Sequence, residues 1–549
     1  MRISRTVVLV LASPLLLLIA AAYLQWGVAG LPVIPAVLPA MTAGPSGFPA
    51  WLRITHYVNF LFLTLLIRSG LPILMDHPRL YGNVHCTPGT EWLRLTPIEV
   101  PTDRVWTAKD DSRRLSPWIG LPGRRHTVGM ARHWHFLSVL FWVGNGVVFV
   151  ALLFATGQWQ RLVPGSWHIV PDAWAVFVHY ATLHLPPEPD GFYSYNALQQ
   201  LSYFGVVFVL APLAIVTGPS MSPALTNRFK RYPGLPGNRQ VGRSLHFLVM
   251  AAFVVFVVVH VTMVALSGLI RNMNHIVMGT DGPGPVGLIV GGLAIGVVVL
   301  LNGLAYWAAW RHPRAVQHVS KAIVTPVMHA LLHRSVPRAE FRREDVSPFF
   351  WVNGAMPTSD EWRLLAREGF RSYRLQVRGL VEHPLDLSLD DLQALGKKVQ
   401  VTLHHCIQGW SGIAAWGGSP LADVLALARP RPNARAVVFH SFSDGIDFST
   451  GVSGGRYYDS LSLKGAQDPL TMLAYEMNDL PLPQLHGAPL RLRVENQLGF
   501  KMVKWIQSIE LVEDVRSTGK GEGGYSEDNE YFGELAGICR RLDYLAKRN

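Results

Sequence analysis

Long runs of apolar residues recur through the first 310 positions of the chain. Each run is long enough to cross the hydrocarbon core of a bilayer as a helix, which takes about 20 residues. The six runs lie at about 7–29, 54–75, 134–156, 198–217, 245–270 and 286–310. We expect the first run to be kept as a helix, because it exceeds the apolar core of a signal peptide. The pattern therefore predicts an all-α transmembrane bundle of six helices over residues 1–310.

The pattern changes after position 310. Residues 311–345 are basic and broken by prolines, which is typical of a linker or an amphipathic surface helix. Residues 346–515 alternate between short apolar strands and turns, with helices between them, and this predicts an α+β domain. Strands are expected at 373–381, 399–403, 436–439, 491–494 and 504–511, and a helix at 388–395. Residues 516–549 are expected to form a flexible surface tail.

Composition supports a multi-domain membrane protein. The 549 residues are 49% hydrophobic and only 16% charged, and the formal net charge is +12. Within residues 1–310, most of the basic residues lie in the loops at 76–131 and 219–243, whereas the other side has only Arg53, Arg161 and Arg271. The positive-inside rule then places both termini in the cytoplasm. We expect a multi-pass protein of the inner (plasma) membrane with a cytoplasmic C-terminal domain, and no nucleic-acid partner.

Histidines occur at matched depths within the predicted helices. His56 lies near the outer end of its helix, and His135, or its neighbour His133, lies near the cytoplasmic end of the next. His246 and His260 share one helix and one face, about 21 Å apart. Pairing His56 with His260 and His135 with His246 would give two bis-imidazole iron sites across the bilayer. The alternative is that each histidine only forms hydrogen bonds within the bundle.

Three short motifs around these histidines support the iron interpretation. Residues 53–59 (Arg-Ile-Thr-His-Tyr-Val-Asn), 131–136 (Ala-Arg-His-Trp-His-Phe) and 243–247 (Arg-Ser-Leu-His-Phe) resemble prokaryotic cytochromes b of the b561 type. The resemblance covers about residues 50–310. It implies two b haems that exchange electrons with a quinone or quinol. The first predicted helix is additional to the four-helix haem core of that family.

Cys406 is one of only three cysteines, and it lies in a loop rich in glycine and tryptophan. A thiolate is a soft ligand for a redox metal, although a lone cysteine is more often a buried structural residue. Downstream, Arg491, Arg493, Lys501 and Lys504 flank Gly499. Such a cluster suits a phosphate-bearing cofactor, or it is a solvated face of a strand.

Five motifs in order resemble the sulfite oxidase superfamily of molybdenum enzymes over about residues 346–515. They begin at Trp351-Val352-Asn353-Gly354, Cys406-Ile407-Gln408-Gly409-Trp410, Ala474-Tyr475-Glu476, His486-Gly487-Ala488-Pro489 and Gly499-Phe500-Lys501. The resemblance implies a molybdopterin cofactor with the Cys406 thiolate on molybdenum. The cofactor contacts that it implies are Asn353, Ser441, His486, Arg491, Gly499, Phe500, Lys501 and Lys504. Trp410 is a candidate catalytic-pocket residue, as are His404, His405 and Asp444.

Two departures from that superfamily bear on the substrate. The residues after Cys406 differ from those of true sulfite oxidases, and the Cys-x-x-x-Trp-Ser run is closer to the methionine-sulfoxide-reductase-like branch. The sequence predicts an oxidoreductase that couples oxygen-atom chemistry on an S-oxide, an N-oxide or sulfite to membrane quinone. Two alternatives are an electron-transfer protein with a non-catalytic docking domain and a transporter whose histidines carry protons or metal ions.

Overall fold

The computed structural model describes residues 2–3, 5–34, 47–123, 128–185, 191–223, 238–332, 341–447 and 452–533. Within them, five helices are long and apolar enough to cross a membrane. The helices of this half are α1 (Arg5–Ala29), α2 (Ala50–Met75), α3 (Ala108–Asp111), α4 (Val128–Ala155), α5 (Ile169–Ala181), α6 (Ala197–Phe204), α7 (Ala211–Ser220), α8 (Arg239–Leu266), α9 (Leu269–Met273), α10 (Val286–Arg311) and α11 (Pro313–Leu332).

The five membrane-length helices correspond to the second to sixth predicted runs. They are α2, α4, α6 with α7, α8 and α10, and a π-helical segment, Gly205–Leu210, joins α6 to α7. The first predicted run forms α1, which packs beside α5 through a hydrogen bond of 2.8 Å from Trp174 Nε1 to Gln25 Oε1. The additional N-terminal helix therefore rests on the connection that follows α4.

Two helices begin about one and a half turns before their apolar runs. α4 starts at Val128 rather than at 134, and α8 starts at Arg239 rather than at 245. The Asn238 side chain caps α8 by accepting hydrogen bonds from the backbone N–H groups of Gln240 and Val241 at 2.9 and 3.1 Å. Most residues of these added turns are buried, because they meet the C-terminal domain rather than lipid or water.

The C-terminal domain has the predicted α+β composition. Three short strands, β1 (Arg2–Ile3), β2 (Arg79–Leu80) and β3 (Leu93–Arg94), form a small sheet in the N-terminal half. The strands of the C-terminal domain are β4 (Leu375–Gly379), β5 (Leu385–Leu387), β6 (Lys398–His405), β7 (Ser411–Pro420), β8 (Ala436–Asp447), β9 (Val452–Ser462), β10 (Thr471–Met477), β11 (Leu480–Pro481), β12 (Arg491–Val494) and β13 (Ile506–Val512). The helices are α12 (Asp360–Arg367), α13 (Leu389–Ala394), α14 (Leu421–Ala428), α15 (Leu463–Ala466) and α16 (Tyr525–Asn529).

Two five-stranded sheets form the body of this domain. One has the strand order β11-β10-β7-β6, with β12 also paired to β10, and the other has the order β5-β4-β13-β8-β9. In the first sheet β6 and β7 form an antiparallel hairpin that closes with His405 opposite Ser411. Cys406 therefore lies in the hairpin connection, and the paired strands fix its position. Every strand predicted from the sequence overlaps an observed one.

One segment matches one of its two expectations, and another differs from its expectation. Part of the basic stretch 311–345 forms α11, which is mostly exposed but buries the Gln317 and Ser320 side chains, so it is a surface helix rather than a free linker. Residues 525–532 are mostly buried, including the Glu527 and Asp528 side chains, where a surface tail was expected. Apolar Phe532 and backbone contacts hold this segment between the two halves of the chain. Cys539 and the predicted terminal basic helix lie outside the described residues.

Candidate active site

Four intramembrane histidines form the two pairs that the sequence predicts. The ring centroids of His56 and His260 are 6.3 Å apart, and those of His135 and His246 are 6.4 Å apart. Two imidazoles on opposite sides of one metal ion, each bonded at about 2 Å, have centroids roughly 6 Å apart. Both pairs therefore have the spacing that a bis-histidine haem needs.

Polar neighbours orient the rings of the inner pair. His135 Nδ1 lies 3.2 Å from Ser69 Oγ, and His246 Nδ1 lies 2.9 Å from Thr217 Oγ1. A hydrogen bond at Nδ1 leaves Nε2 available as the metal ligand, as is usual for histidines that bind metals. His133 instead contacts Ser320 Oγ and the Tyr531 carbonyl oxygen, each at 3.0 Å. The geometry thus favours His135 over His133 as the haem ligand.

A cleft of about 1110 Å³ of empty space, partly open to solvent, lies in the C-terminal domain. Its wall contains nine of the ten residues predicted for the molybdenum site, all but Lys501. These are Asn353, Cys406, Trp410, Ser441, His486, Arg491, Gly499, Phe500 and Lys504. His404 and Asp444 also line it. Residues from four of the five motifs, spread over about 150 positions of sequence, therefore meet around one space.

Cys406 is buried in the wall of this cleft. Its Sγ atom is 3.8 Å from Asn353 Nδ2 and 3.8 Å from Gln408 Oε1. Burial raises the pKa of the Cys406 thiol to about 12. The unliganded side chain is therefore neutral at physiological pH, and a metal ion would deprotonate it.

Two cations face the cleft without a neutralising carboxylate. Burial and the neighbouring Arg493 lower the pKa of Arg491 well below its usual range, and burial with Arg491 does the same for Lys504. Lys504 Nζ donates only to the Leu485 carbonyl oxygen, at 3.0 Å, and Arg491 Nη1 donates to the His486 carbonyl oxygen, also at 3.0 Å. Within the described parts of the chain neither cation forms an ion pair. An anion in the cleft would satisfy both.

The histidines of the cleft are neutral. Burial, followed by the positive charges of Arg491 and Lys504, lowers the pKa of His486 to about 3. Burial and the nearby Arg493 lower the pKa of His404 well below its usual range. His405, a predicted pocket candidate, is not in the cleft wall, and burial lowers its pKa to about 3. Gly499 allows the close approach of His404, because a Cβ atom at position 499 would lie 2.3 Å from the ring. These histidines can donate or accept hydrogen bonds but do not hold a charge near neutral pH.

Lys501 is not brought into the cleft. Its ammonium group forms ion pairs with Asp459 Oδ1 and Glu527 Oε1, both at 2.5 Å. These carboxylates raise the pKa of Lys501 above its usual range despite burial. Arg493 of the predicted basic cluster is also paired with a carboxylate, because it contacts Glu495 at 2.6 Å. The sequence alone could not identify Lys501 as a paired cation, because Asp459 and Glu527 lie far from it in sequence.

Sequence reasoning missed the residues that the membrane half and the C-terminal segment add to the cleft. They are Asp76, Lys109 and Val128 on one side, and Tyr525, Ser526, Glu530 and Phe532 on the other. The basic loop 76–131 was interpreted as a topology signal only. Tyr525, Tyr531 and Phe532, which lie among the acidic residues of this segment, are the one sequence signal that it packs against the rest of the protein.

The cleft fits a large anionic cofactor that brings its own metal ligands. Trp410 Nε1 and Arg491 Nε are buried and have no hydrogen-bond partner among the described residues. In the same residues no three His, Cys, Asp or Glu side chains converge as a metal site. A metal beside Cys406 would therefore take most of its ligands from a non-protein group. The fold and the two sites define a membrane-anchored cofactor-binding oxidoreductase with haem-type histidine pairs.

Family comparisons give the same assignment. Residues 47–279 match the family described as prokaryotic cytochrome b561, and residues 364–519 match the oxidoreductase molybdopterin-binding domain. The chain is thus a fusion of a cytochrome b561-type membrane domain with a molybdopterin-binding oxidoreductase domain.

Curated relatives resemble separate parts of the chain. It is 35% identical over 160 residues to the putative protein-methionine-sulfoxide reductase subunit YedZ1 of Azospira oryzae, covering 29% of this chain and 54% of that protein. It is 32% identical over 206 residues to the protein-methionine-sulfoxide reductase catalytic subunit MsrP of Xanthomonas campestris pv. campestris, covering 36% and 63%. For MsrP of Gluconobacter oxydans the values are 35% identity over 147 residues, 26% and 47%. The matches span between about half and under two thirds of these relatives.

Proposed function

We propose that the chain is a quinol-dependent reductase of small S-oxides. Two b haems, on His56 with His260 and on His135 with His246, would carry single electrons to a molybdopterin centre on Cys406. The balanced reaction is R₂SO + QH₂ → R₂S + Q + H₂O, in which the sulfur–oxygen bond breaks and the quinol supplies two electrons and two protons. A bound molybdenum cofactor supplies the oxygen-atom chemistry, and the protein holds and orients it.

One observation carries this proposal above all. The cleft that contains Cys406 lies against the end of the membrane bundle where His135 and His246 face each other, since α8 contacts the Cys406 loop and bears His246. A domain that only docked a partner would not need a deep cleft with two unpaired cations. A transporter would not need two histidine pairs at haem spacing.

The roles of the cleft residues follow from their contacts. Arg491 and Lys504 would bind the cofactor phosphate, because they are the cleft cations that lack a carboxylate. Asn353, Ser441, His486, Gly499 and Phe500 would line the rest of the cofactor. Trp410 would direct its free indole N–H towards bound cofactor or substrate. Cys406 would provide the thiolate ligand of the metal.

The S-oxide assignment has two supports. The curated relatives that match are named for methionine sulfoxide reduction. An apolar cluster of Val128, Ile407, Leu498 and Phe532, with Phe500 packed against it, contributes to the cleft wall. Such a wall suits the alkyl groups of a sulfoxide better than the compact charge of sulfite.

The membrane orientation is part of the proposal. The catalytic domain lies at the end of the bundle that carries the basic loop 76–131, so the positive-inside rule places it in the cytoplasm. A C-terminal fusion to alkaline phosphatase should be inactive, and a fusion to green fluorescent protein should fluoresce. The reverse result would place the catalytic domain in the periplasm without affecting the reaction.

Substrate assays of the purified protein test the reaction. With reduced benzyl viologen as donor, methionine sulfoxide or dimethyl sulfoxide should be reduced to the sulfide, and the Cys406→Ser variant should lack this activity. Faster reduction of N-oxides than of S-oxides would make N-oxides the substrate class instead. Sulfite oxidation with ferricyanide and no S-oxide reduction would overturn the assignment.

A further inference from the structure

The N-terminal turn of α8 forms the main polar contact between the membrane helices and the Cys406 loop. We call residues 239–243 the docking turn and residues 406–411 the cysteine loop. Arg239 donates from Nη2 to the Cys406 carbonyl oxygen at 3.1 Å and from Nη1 to the Trp410 carbonyl oxygen at 3.4 Å. Gln240 Nε2 donates to the Gly409 carbonyl oxygen at 2.9 Å and lies 3.0 Å from Ser411 Oγ.

The cysteine loop is shaped to receive these donors. The Cys406 and Trp410 carbonyl oxygens already accept hydrogen bonds from the backbone N–H groups of Gly409 at 3.2 Å and Cys406 at 3.1 Å, so Arg239 supplies each of them with a second donor. Gly409 has a φ of +117°, and a Cβ atom there would lie 3.1 Å from Arg243 Nε. Gln240 is fully buried. The docking turn therefore replaces solvent as the hydrogen-bond partner of the loop.

Arg243 attaches the same turn to the chain that follows α2. It donates to the carbonyl oxygens of Arg79 at 2.6 Å, Leu74 at 3.2 Å and His77. Gln408 of the cysteine loop donates in turn to the carbonyl oxygens of Asp76 and Ala108, each at 3.4 Å. The loop is thus held on two sides by the membrane half of the chain.

The docking turn also continues directly to a predicted haem ligand. His246 follows Arg239 by two helical turns, a rise of about 10 Å. A short stretch of covalent helix and one hydrogen bond therefore separate the ligand of the inner haem from the backbone of the metal-binding cysteine. All of these contacts lie within one chain, so none of them depends on the binding of a second protein.

We infer that the docking turn is a built-in electron-transfer contact, in which Arg239 and Gln240 position the cysteine loop against the inner haem. A haem held by His135 and His246 would give one electron at a time to a molybdenum cofactor held by Cys406, so that the donor is oxidised and the acceptor reduced by one electron within a single chain. This inference rests on the proposed function for its cofactors but not on the substrate. Arg239 and Gln240 are positioning residues, since they act through the backbone of the loop.

Flash photoreduction of the holoprotein tests the inference without any substrate. A photoexcited deazaflavin reduces the haems, and the decay of reduced-haem absorbance reports internal transfer to molybdenum. The Arg239→Gln/Gln240→Ala double variant should slow this decay by about tenfold or more, because small misplacements of a reacting group are expensive. Arg239→Lys keeps the positive charge but loses the bidentate guanidinium donor. Its decay rate should lie between those of the double variant and the wild type.

Two further measurements separate coupling from misfolding. Haem spectra and molybdenum content of the double variant should match those of the wild type. The control Arg431→Gln removes a hydrogen bond of 3.1 Å to the Val381 carbonyl oxygen, outside the cleft wall and the cysteine loop, and should leave internal transfer unchanged. Unchanged transfer in the double variant, or an absence of internal transfer in the wild type, would overturn the inference. Internal transfer without S-oxide turnover would instead reject only the proposed substrate.

Discussion

At the residue scale, the cleft separates charges that look alike in the sequence. Arg491 and Lys504 stay unpaired beside Cys406, whereas Lys501 is neutralised by Asp459 and Glu527. A buried cation without a counter-ion is destabilising by itself and becomes favourable when an anion binds. Arg491 and Lys504 are therefore suited to binding an anionic cofactor, whereas Lys501 stabilises the fold.

Substitutions at Arg491 and Lys501 should have opposite consequences. Arg491→Gln should lower the molybdenum and pterin content several-fold with little loss of stability, because it removes an unpaired cation. Lys501→Gln should instead lower the free energy of unfolding by about 3–5 kcal/mol, because it leaves two buried carboxylates without a partner. Metal analysis and thermal unfolding of both variants measure the difference. Equal metal loss in the two variants would show that Lys501 also serves the cofactor.

Glu530 should make stability depend on pH. Burial raises the pKa of Glu530 from 4.5 to about 7. The folded protein then holds a proton that the unfolded chain releases, so the contribution of this group to stability falls as pH rises from about 4.5 to about 7. Glu530→Gln should raise the melting temperature at pH 8 more than at pH 5. An identical change at both pH values would contradict this account.

At the element scale, the first residues of α4 and α8 form polar contacts between the membrane half and the C-terminal domain. The first residues of α4 and α8 include His133, Arg239 and Gln240, which contact Tyr531 or the cysteine loop. The sequence predicted the helices themselves, strand β6 and the two histidine pairs, but not β7, the second strand of the hairpin. The apolar runs could not predict the buried helix starts, because residues just outside such a run normally lie in water.

The C-terminal segment was unpredictable for a related reason. Arg314 donates to the carbonyl oxygens of Glu527 and Asp528 at 3.1 and 2.6 Å, and Gln317 donates to that of Phe532 at 2.8 Å. These contacts join residues about 200 positions apart in sequence, and they bury acidic side chains that composition assigns to the surface. Local patterns carry no signal for such long-range pairing.

Haem content should distinguish the two histidines at the start of α4. His135→Ala should lose the inner haem and about half of the b-type absorbance, because His135 faces His246. His133→Ala should keep both haems and only weaken the contacts to Ser320 and Tyr531. Pyridine haemochrome analysis of both variants measures haem per chain. Loss of haem in His133→Ala with retention in His135→Ala would reverse the assignment.

At the scale of the whole molecule, one chain contains an electron carrier and a cofactor-binding domain in fixed contact. The outer histidine pair, the inner pair and Cys406 follow one another from one end of the bundle into the catalytic domain. α8 contributes to all three, through His260, His246 and Arg239. The fusion therefore does more than connect two domains, because α8 contacts both and fixes the position of one relative to the other.

The most direct test of this account follows the haems during turnover. The purified protein is reduced anaerobically with a soluble quinol, and methionine sulfoxide is then added while the haem absorbance is recorded. Both haems should be reoxidised in the wild type, with methionine formed at one per two electrons, and they should remain reduced in Cys406→Ser. Haems that remain reduced in the wild type, or that are reoxidised equally in Cys406→Ser, would contradict the account.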